Sequence, residues 1–125
     1  MKKNEALETA KSIVNLAEDK KGSDILVLDM RDVSGLCDYF VIISAASVTR
    51  GKTIGEHIAY EMKQLNDPAN HVEGFKDGKW IVMDFGNVVA HIYQKDIREF
   101  YALEELWGDA PRIDMPKKIK KKVSE

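Results

Sequence analysis

The stretch HVEGFKDGKWIVMDFGNVVAHIY, residues 71–93, constrains the fold more than any other part of the chain. Its β-branched and aromatic runs are interrupted by two turn signals, Asp77-Gly78 and Gly86-Asn87, which reads as a three-strand antiparallel meander. The first turn is expected to pair Phe75 with Trp80, and the second to pair Phe85 with Val88. Once both registers are set, the two-residue alternation of a strand assigns every side chain to a face. One face then holds Val72, Gly74, Ile81, Met83, Phe85, Val88, Ala90 and Ile92, a core composition. The other holds His71, Glu73, Phe75, Trp80, Val82, Asp84, Val89, His91 and Tyr93, which mixes aromatic rings with acids and imidazoles.

The rest of the chain supplies what such a meander needs to pack against. Ala6, Leu7, Ala10, Ile13, Val14 and Ala17 recur at helical spacing over residues 5–19, with Asn4 as N-cap and Lys20-Lys21-Gly22 at the far end. ILVLDM (25–30) and DYFVIISA (38–45) are nearly continuous apolar runs, the pattern of strands covered on both faces. From Ser47 the period returns to helical, with Val48, Gly51, Ile54, Gly55, Ile58, Met62 and Leu65 on one stripe that stops at Asn66-Asp67-Pro68. Gly51, Gly55 and Ala59 lie four apart on it and admit a close backbone, from the core or from a partner copy in a homodimer. Asp96 and Glu99 form a capping box for a last helix carrying Ile97, Phe100, Tyr101, Leu103, Leu106 and Trp107. The order α-β-β-α-β-β-β-α describes a single α+β domain with a mixed five-stranded sheet and helices mainly on one face.

A chain of 125 residues, 44% hydrophobic, suits one such core. The domain is expected over 1–110, followed by a lysine-rich, disordered tail over 111–125. Residues 1–116 carry 14 basic against 20 acidic residues, while the last nine carry five lysines and one glutamate. The acidic body therefore suits a basic partner, and the tail is fitted only for weak, nonspecific phosphate contact. No apolar run nears the ~18 residues that span a bilayer. No export signal is evident and the lone Cys37 forms no internal disulfide, so a reducing cytosol or organelle matrix fits and a cytoplasmic setting is expected, with no membrane partner.

Three kinds of chemistry compete for the second face of the meander. Acyl transfer needs a nucleophile beside His91, but there is no GxSxG elbow and the nearby polar residues supply no obvious hydroxyl except Tyr93. A metal site could draw on His71, Glu73, Asp84 and His91, but their spacing matches no metal motif, and no cofactor or metal is expected. A binding surface needs aromatic anchors ringed by charge, which Trp80, Tyr93, Glu73 and Asp84 provide. Packing under a helix would use the same aromatics.

Taken together, DYFVIISAAS (38–47), Glu73-Gly74, the W-x-x-x-D-x-G-x-V-x-x-H run over 80–91 and the R-x-x-Y-x-L-E-x-L-W run over 98–107 resemble the ribosomal silencing factors, the RsfS or Iojap family. Phe85, Asn87, Ala90 and the lysine-rich tail depart from that family's pattern. The resemblance implies a non-enzymatic factor with a nucleotidyltransferase-like core that docks on the large ribosomal subunit at universal ribosomal protein fourteen. There it would block joining of the small subunit and repress translation under nutrient limitation, as in stationary phase, with the lysine tail in weak contact with ribosomal RNA, while organellar relatives imply a role in large-subunit assembly. The partner-binding residues it implies are Glu73, Trp80, Val82, Asp84, His91 and Tyr93 on the sheet, with Arg98, Tyr101 and Glu104 on the last helix. Trp80 and Val82 are expected at the centre and His91 and Tyr93 at the flank. A transferase enzyme would need a Gly-Ser and a paired Asp-x-Asp, and Asp29-Met30-Arg31-Asp32 has the wrong spacing.

Overall fold

The computed structural model describes residues 5–33, 35, 37–97 and 110–113. Among the described residues the elements follow one another as α1 (Glu5–Asp19), β1 (Ser23–Asp29), β2 (Tyr39–Ala45), α2 (Val48–Gln64), β3 (His71–Glu73), β4 (Trp80–Asp84), β5 (Val88–Gln94) and β6 (Arg112–Ile113). They form one sheet in the order β3-β4-β5-β2-β1-β6. All neighbours are antiparallel except β2 and β5, which run parallel and place Tyr39 beside Val88 and Ala45 beside Gln94. The α+β class and mixed sheet agree with the sequence reading, but the sheet has six strands where five were expected. The extra strand comes from two residues beyond Pro111 that pair with Val27 and Leu28. A two-residue edge strand has too little periodicity to show in a sequence.

Both helices lie on one face of the sheet. Ala6, Ala10, Ile13, Val14 and Ala17 of α1, and Ile54, Ile58 and Met62 of α2, are buried against Val41, Ile43, Ile81, Met83, Ala90 and Ile92. Their ends follow local chemistry. α1 closes with Gly22 N–H donating to Ala17 O at 2.8 Å and Lys21 N–H to Glu18 O at 3.1 Å, a Schellman pattern in which Lys21 takes the left-handed conformation at φ 70°. α2 starts at Ser47, whose Oγ accepts from Arg50 N–H at 3.0 Å, and ends on Asn66 at φ 66°. The Gly51/Gly55 stripe faces inward: a Cβ on Gly51 would sit 3.3 Å from Gly78 O, and one on Gly55 would meet Phe75, Ile81 and Ile92. Close approach thus serves the core and the 74–79 loop.

The meander keeps its predicted register. His71 pairs with Asp84, Glu73 with Val82, and Phe85 N–H donates to Val88 O at 2.8 Å. The β3–β4 ladder stops at Glu73, however, and Phe75 does not pair with Trp80. Gly74 takes φ +80° and Gly78 N–H donates back to Gly74 O at 2.8 Å, so residues 74–79 form a wide loop in place of a tight Asp-Gly hairpin. That turn carries Phe75 off the second face and onto the helix side, where it packs at Gly55. The chain is helical again at residues 95–97, one residue ahead of the expected Asp96 cap. Glu99 and the rest of that helix fall outside the described residues.

A candidate docking face around Trp80

Register across five strands builds the second face in rows. Trp80, Tyr93 and Ser44 lie side by side, as do Glu73, Val82, His91, Ile42 and Leu26, and then His71, Asp84, Val89, Phe40 and Leu28. From the β1 side, Leu28, Met30, Cys37, Ile42, Tyr93 and Ala110 form a second buried cluster, with Phe40, Val89 and Ile97 against it. The face is therefore dry towards β1 and open towards β3. Trp80 stands at the boundary, 39% exposed, while Val82 and Asp84 are half-buried and Glu73 is exposed.

Beneath Trp80 is a bed of rings. Its Nε1–H donates to His91 Nδ1 at 3.2 Å, and its ring centre lies 4.9 Å from Tyr93. His91 stacks on Tyr93 at 5.8 Å and 12°, and meets the edge of Phe40 at 4.7 Å. Because His91 Nδ1 accepts that bond, the neutral imidazole carries its proton on Nε2. Burial pushes the His91 pKa down to about 4, since the charged ring would lose its water, so the ring is neutral at neutral pH. Such a hydrogen-bonded aromatic cluster fixes the Trp80 rotamer from below and leaves its outer surface presented.

The acids divide between turn and rim. Asp84 Oδ1 accepts from Gly86 N–H at 2.7 Å, closing the hairpin turn on its own carboxylate. Glu73 Oε2 lies 2.6 Å from His71 Nε2 on the outermost strand. His91 and Tyr93, expected at the flank, are 7% and 0% exposed and support the surface from within. Arg98, Tyr101 and Glu104 fall outside the described residues. Phe40, Ile42 and Ser44 complete the face although the sequence reading did not include them; only the parallel β2–β5 pairing brings them there, and no local turn announces it. Among the described residues no group of three or more His, Cys, Asp or Glu is placed to hold a metal ion, and no helix is long and apolar enough to cross a membrane. Asp29, from the mismatched Asp-Met-Arg-Asp run, has its carboxyl pKa lowered by its hydrogen bonds from Arg31, at 2.7 and 2.9 Å.

A small α+β domain with helices on one sheet face and a ring-supported tryptophan on the other has the layout of a binding module. Comparison with known proteins gives that module its family. The family described as "Ribosomal silencing factor during starvation" matches residues 3–125. Ribosomal silencing factor RsfS of Bacillus subtilis is 38% identical over 109 residues, covering 84% of this chain and 92% of its own. The chloroplastic protein Iojap of Zea mays is 34% identical over 119 residues, 90% of this chain but 49% of the longer plant protein. The mouse protein named mitochondrial assembly of ribosomal large subunit protein 1 is 32% identical over 98 residues, 76% of this chain and 43% of its own. Crystal structures from Chromobacterium violaceum (TM-score 0.79, 27% identity, 89% of each chain) and Bacillus halodurans (TM-score 0.76, 29% identity, 90% of this chain and all of the other) share the fold. The chain belongs to the RsfS family of ribosomal silencing factors.

Proposed function

We propose that the protein docks on the large ribosomal subunit through the Trp80 face, at universal ribosomal protein fourteen, and blocks joining of the small subunit by occupying the site where the subunits meet. The observation that carries this reading is Trp80 itself: a large ring 39% exposed, yet held by Tyr93 and the hydrogen bond to His91. A rigid, half-exposed aromatic loses little entropy on binding and supplies buried area, the usual character of a hot spot. Val82 extends the apolar centre, Glu73 and Asp84 give it an acidic rim for a basic protein, and His91 and Tyr93 position the ring. Arg98, Tyr101 and Glu104 are carried as contacts on their motif positions alone. An interface of about 800 Å² on this side suffices to exclude a competing surface without catalysis.

Co-sedimentation with purified large subunits tests this. Trp80→Ala should weaken binding by at least about 2 kcal/mol, roughly 30-fold, with an unchanged far-ultraviolet circular dichroism spectrum. Charge reversal at Asp84 should weaken it most at low salt. Full affinity in Trp80→Ala removes this face from the interface. A second reading, action in large-subunit assembly within the cytoplasm, is supported by the mouse relative's name. Accumulation of incomplete large subunits on depletion, with subunit joining unaffected in vitro, would favour it.

A further inference from the structure

The acidic body is not uniform, and one end of the sheet carries a concentration of cations that the Trp80 face does not use. Arg50 and Lys52 flank Gly51 in the first turn of α2, and Gly51 is in near contact with Gly78 O. Lys76 and Lys79 are exposed on the 74–79 loop. The Lys52 side chain lies across that loop: a Cβ on Gly78 would fall 2.8 Å from its Cε. Gln94 N–H donates to Lys79 O at 2.8 Å, which brings exposed Lys95 alongside. Five cations from three elements thus lie at this end of the sheet, with Glu56, Glu73, Asp77 and Asp96 as the acids close to them in the chain.

Three further observations point to a polyanion. None of these five cations is in an ion pair among the described residues, whereas Lys11, Arg31, His57 and His71 each lie against an acid there. The α2 N-terminus opens onto the same spot with no acid in its first turn, so the positive end of a 17-residue helix adds to the field. The opposite end of the sheet holds Asp29, Asp32, Asp38, Asp67 and Asp84 with Arg31 and Lys63, while Glu18, Asp19 and Asp24 share the cationic end on its α1–β1 side, so the excess of positive charge is local to the 74–79 loop and the start of α2.

We infer that the end of the domain formed by the 74–79 loop and the first turn of α2 is a second contact surface that binds RNA through its phosphates. It lies beside Trp80 but is separate from it, and it does not depend on which ribosomal protein the Trp80 face meets. RNA suits this surface better than an anionic membrane because the loop's one large apolar residue, Phe75, is turned inward onto Gly55, so the loop itself presents charge and no apolar side chain. For a member of a ribosomal factor family, RNA is also the polyanion at hand. Lysines reading phosphate charge give binding without sequence preference and with steep salt dependence. The acidic far end then repels the same backbone and orients the domain as it approaches.

The test is fluorescence anisotropy of the full chain with a labelled RNA stem of about 16 base pairs, measured across a salt series. The double variant Lys76→Gln/Lys79→Gln should weaken binding by about tenfold or more at low salt and lower the slope of log affinity against log salt by about 2. Lys11→Gln/Lys63→Gln makes the same change in net charge elsewhere on the domain and should leave both quantities nearly unchanged. Five tail substitutions, of Lys117, Lys118, Lys120, Lys121 and Lys122 by Gln, should leave the loss caused by Lys76→Gln/Lys79→Gln intact. Equal losses from the two double variants would reduce the effect to net charge and overturn the proposal. So would loss confined to the tail variant, or tighter binding to phosphatidylserine vesicles than to RNA.

Discussion

Buried His91 makes stability depend on pH in a direction and size that can be worked from the structure. The ring is 7% exposed between Trp80, Tyr93 and Phe40, accepts from Trp80 Nε1–H, and has its pKa lowered from 6.5 to about 4 by burial. A proton therefore prefers the unfolded chain, where the imidazole titrates near 6.5. Above that pH both states are neutral and His91 contributes no pH dependence. As pH falls from about 6.5 towards 4 the unfolded state gains a proton the native state refuses, and stability drops; below about 4 the loss levels off. A gap of about 2.5 pKa units at 1.36 kcal/mol per unit corresponds to about 3 kcal/mol over the whole window, most of which has gone by pH 4.5. Urea unfolding of the wild type and of His91→Phe at pH 7.5, 6.0, 5.0 and 4.5 isolates this contribution. Phenylalanine fits the ring bed and does not titrate, and contributions common to both proteins cancel in the difference. The variant should be less stable at pH 7.5, having lost the Trp80 hydrogen bond, and should close or reverse that gap by pH 4.5. A stability difference that stays constant from pH 7.5 to 4.5 would refute the buried, neutral imidazole.

Three other perturbations probe separate parts of the fold. Gly74→Ala places a Cβ about 2.0 Å from Trp80 O at a φ of +80°, so it should cost more than about 2 kcal/mol in urea unfolding; full stability would mean the 74–79 loop is not shaped as described. Ser47→Ala removes the acceptor for Arg50 N–H and should cost about 1 kcal/mol, read as a lowered unfolding midpoint with an unchanged denaturant slope. Cys37 is buried and its thiol pKa is raised, first by burial and then by Asp38 and Asp84, so Ellman's reagent should label it in urea but only slowly in native protein at pH 8. Labelling at the rate of a free thiol would place it at the surface.

Much of this protein is determined locally. The spacing of Ala6, Ala10, Ile13 and Ala17, the Ser47 cap and the Asn66 stop set two helices, because capping and amphipathic period act within a few residues. The register of Trp80, Val82, Asp84, His91 and Tyr93 followed from Gly86-Asn87 and strand alternation, and His71 does lie opposite Asp84. Other features required the third dimension. The Asp77-Gly78 signal was overridden because Gly74, at φ +80°, widens the turn and lets Phe75 bury against Gly55. The Gly51/Gly55 stripe could not be assigned until the sheet and the loop were seen against it. Whether Trp80, His91 and Tyr93 were presented or buried depended on the parallel β2–β5 pairing, which sets Phe40, Ile42 and Ser44 beside β5 across a long stretch of sequence. Periodicity records which way a side chain points relative to its own strand. What covers that side chain is decided by strands and helices remote in sequence, and for that reason the sequence carried the face while only the tertiary structure divided it into a buried bed and an exposed tryptophan.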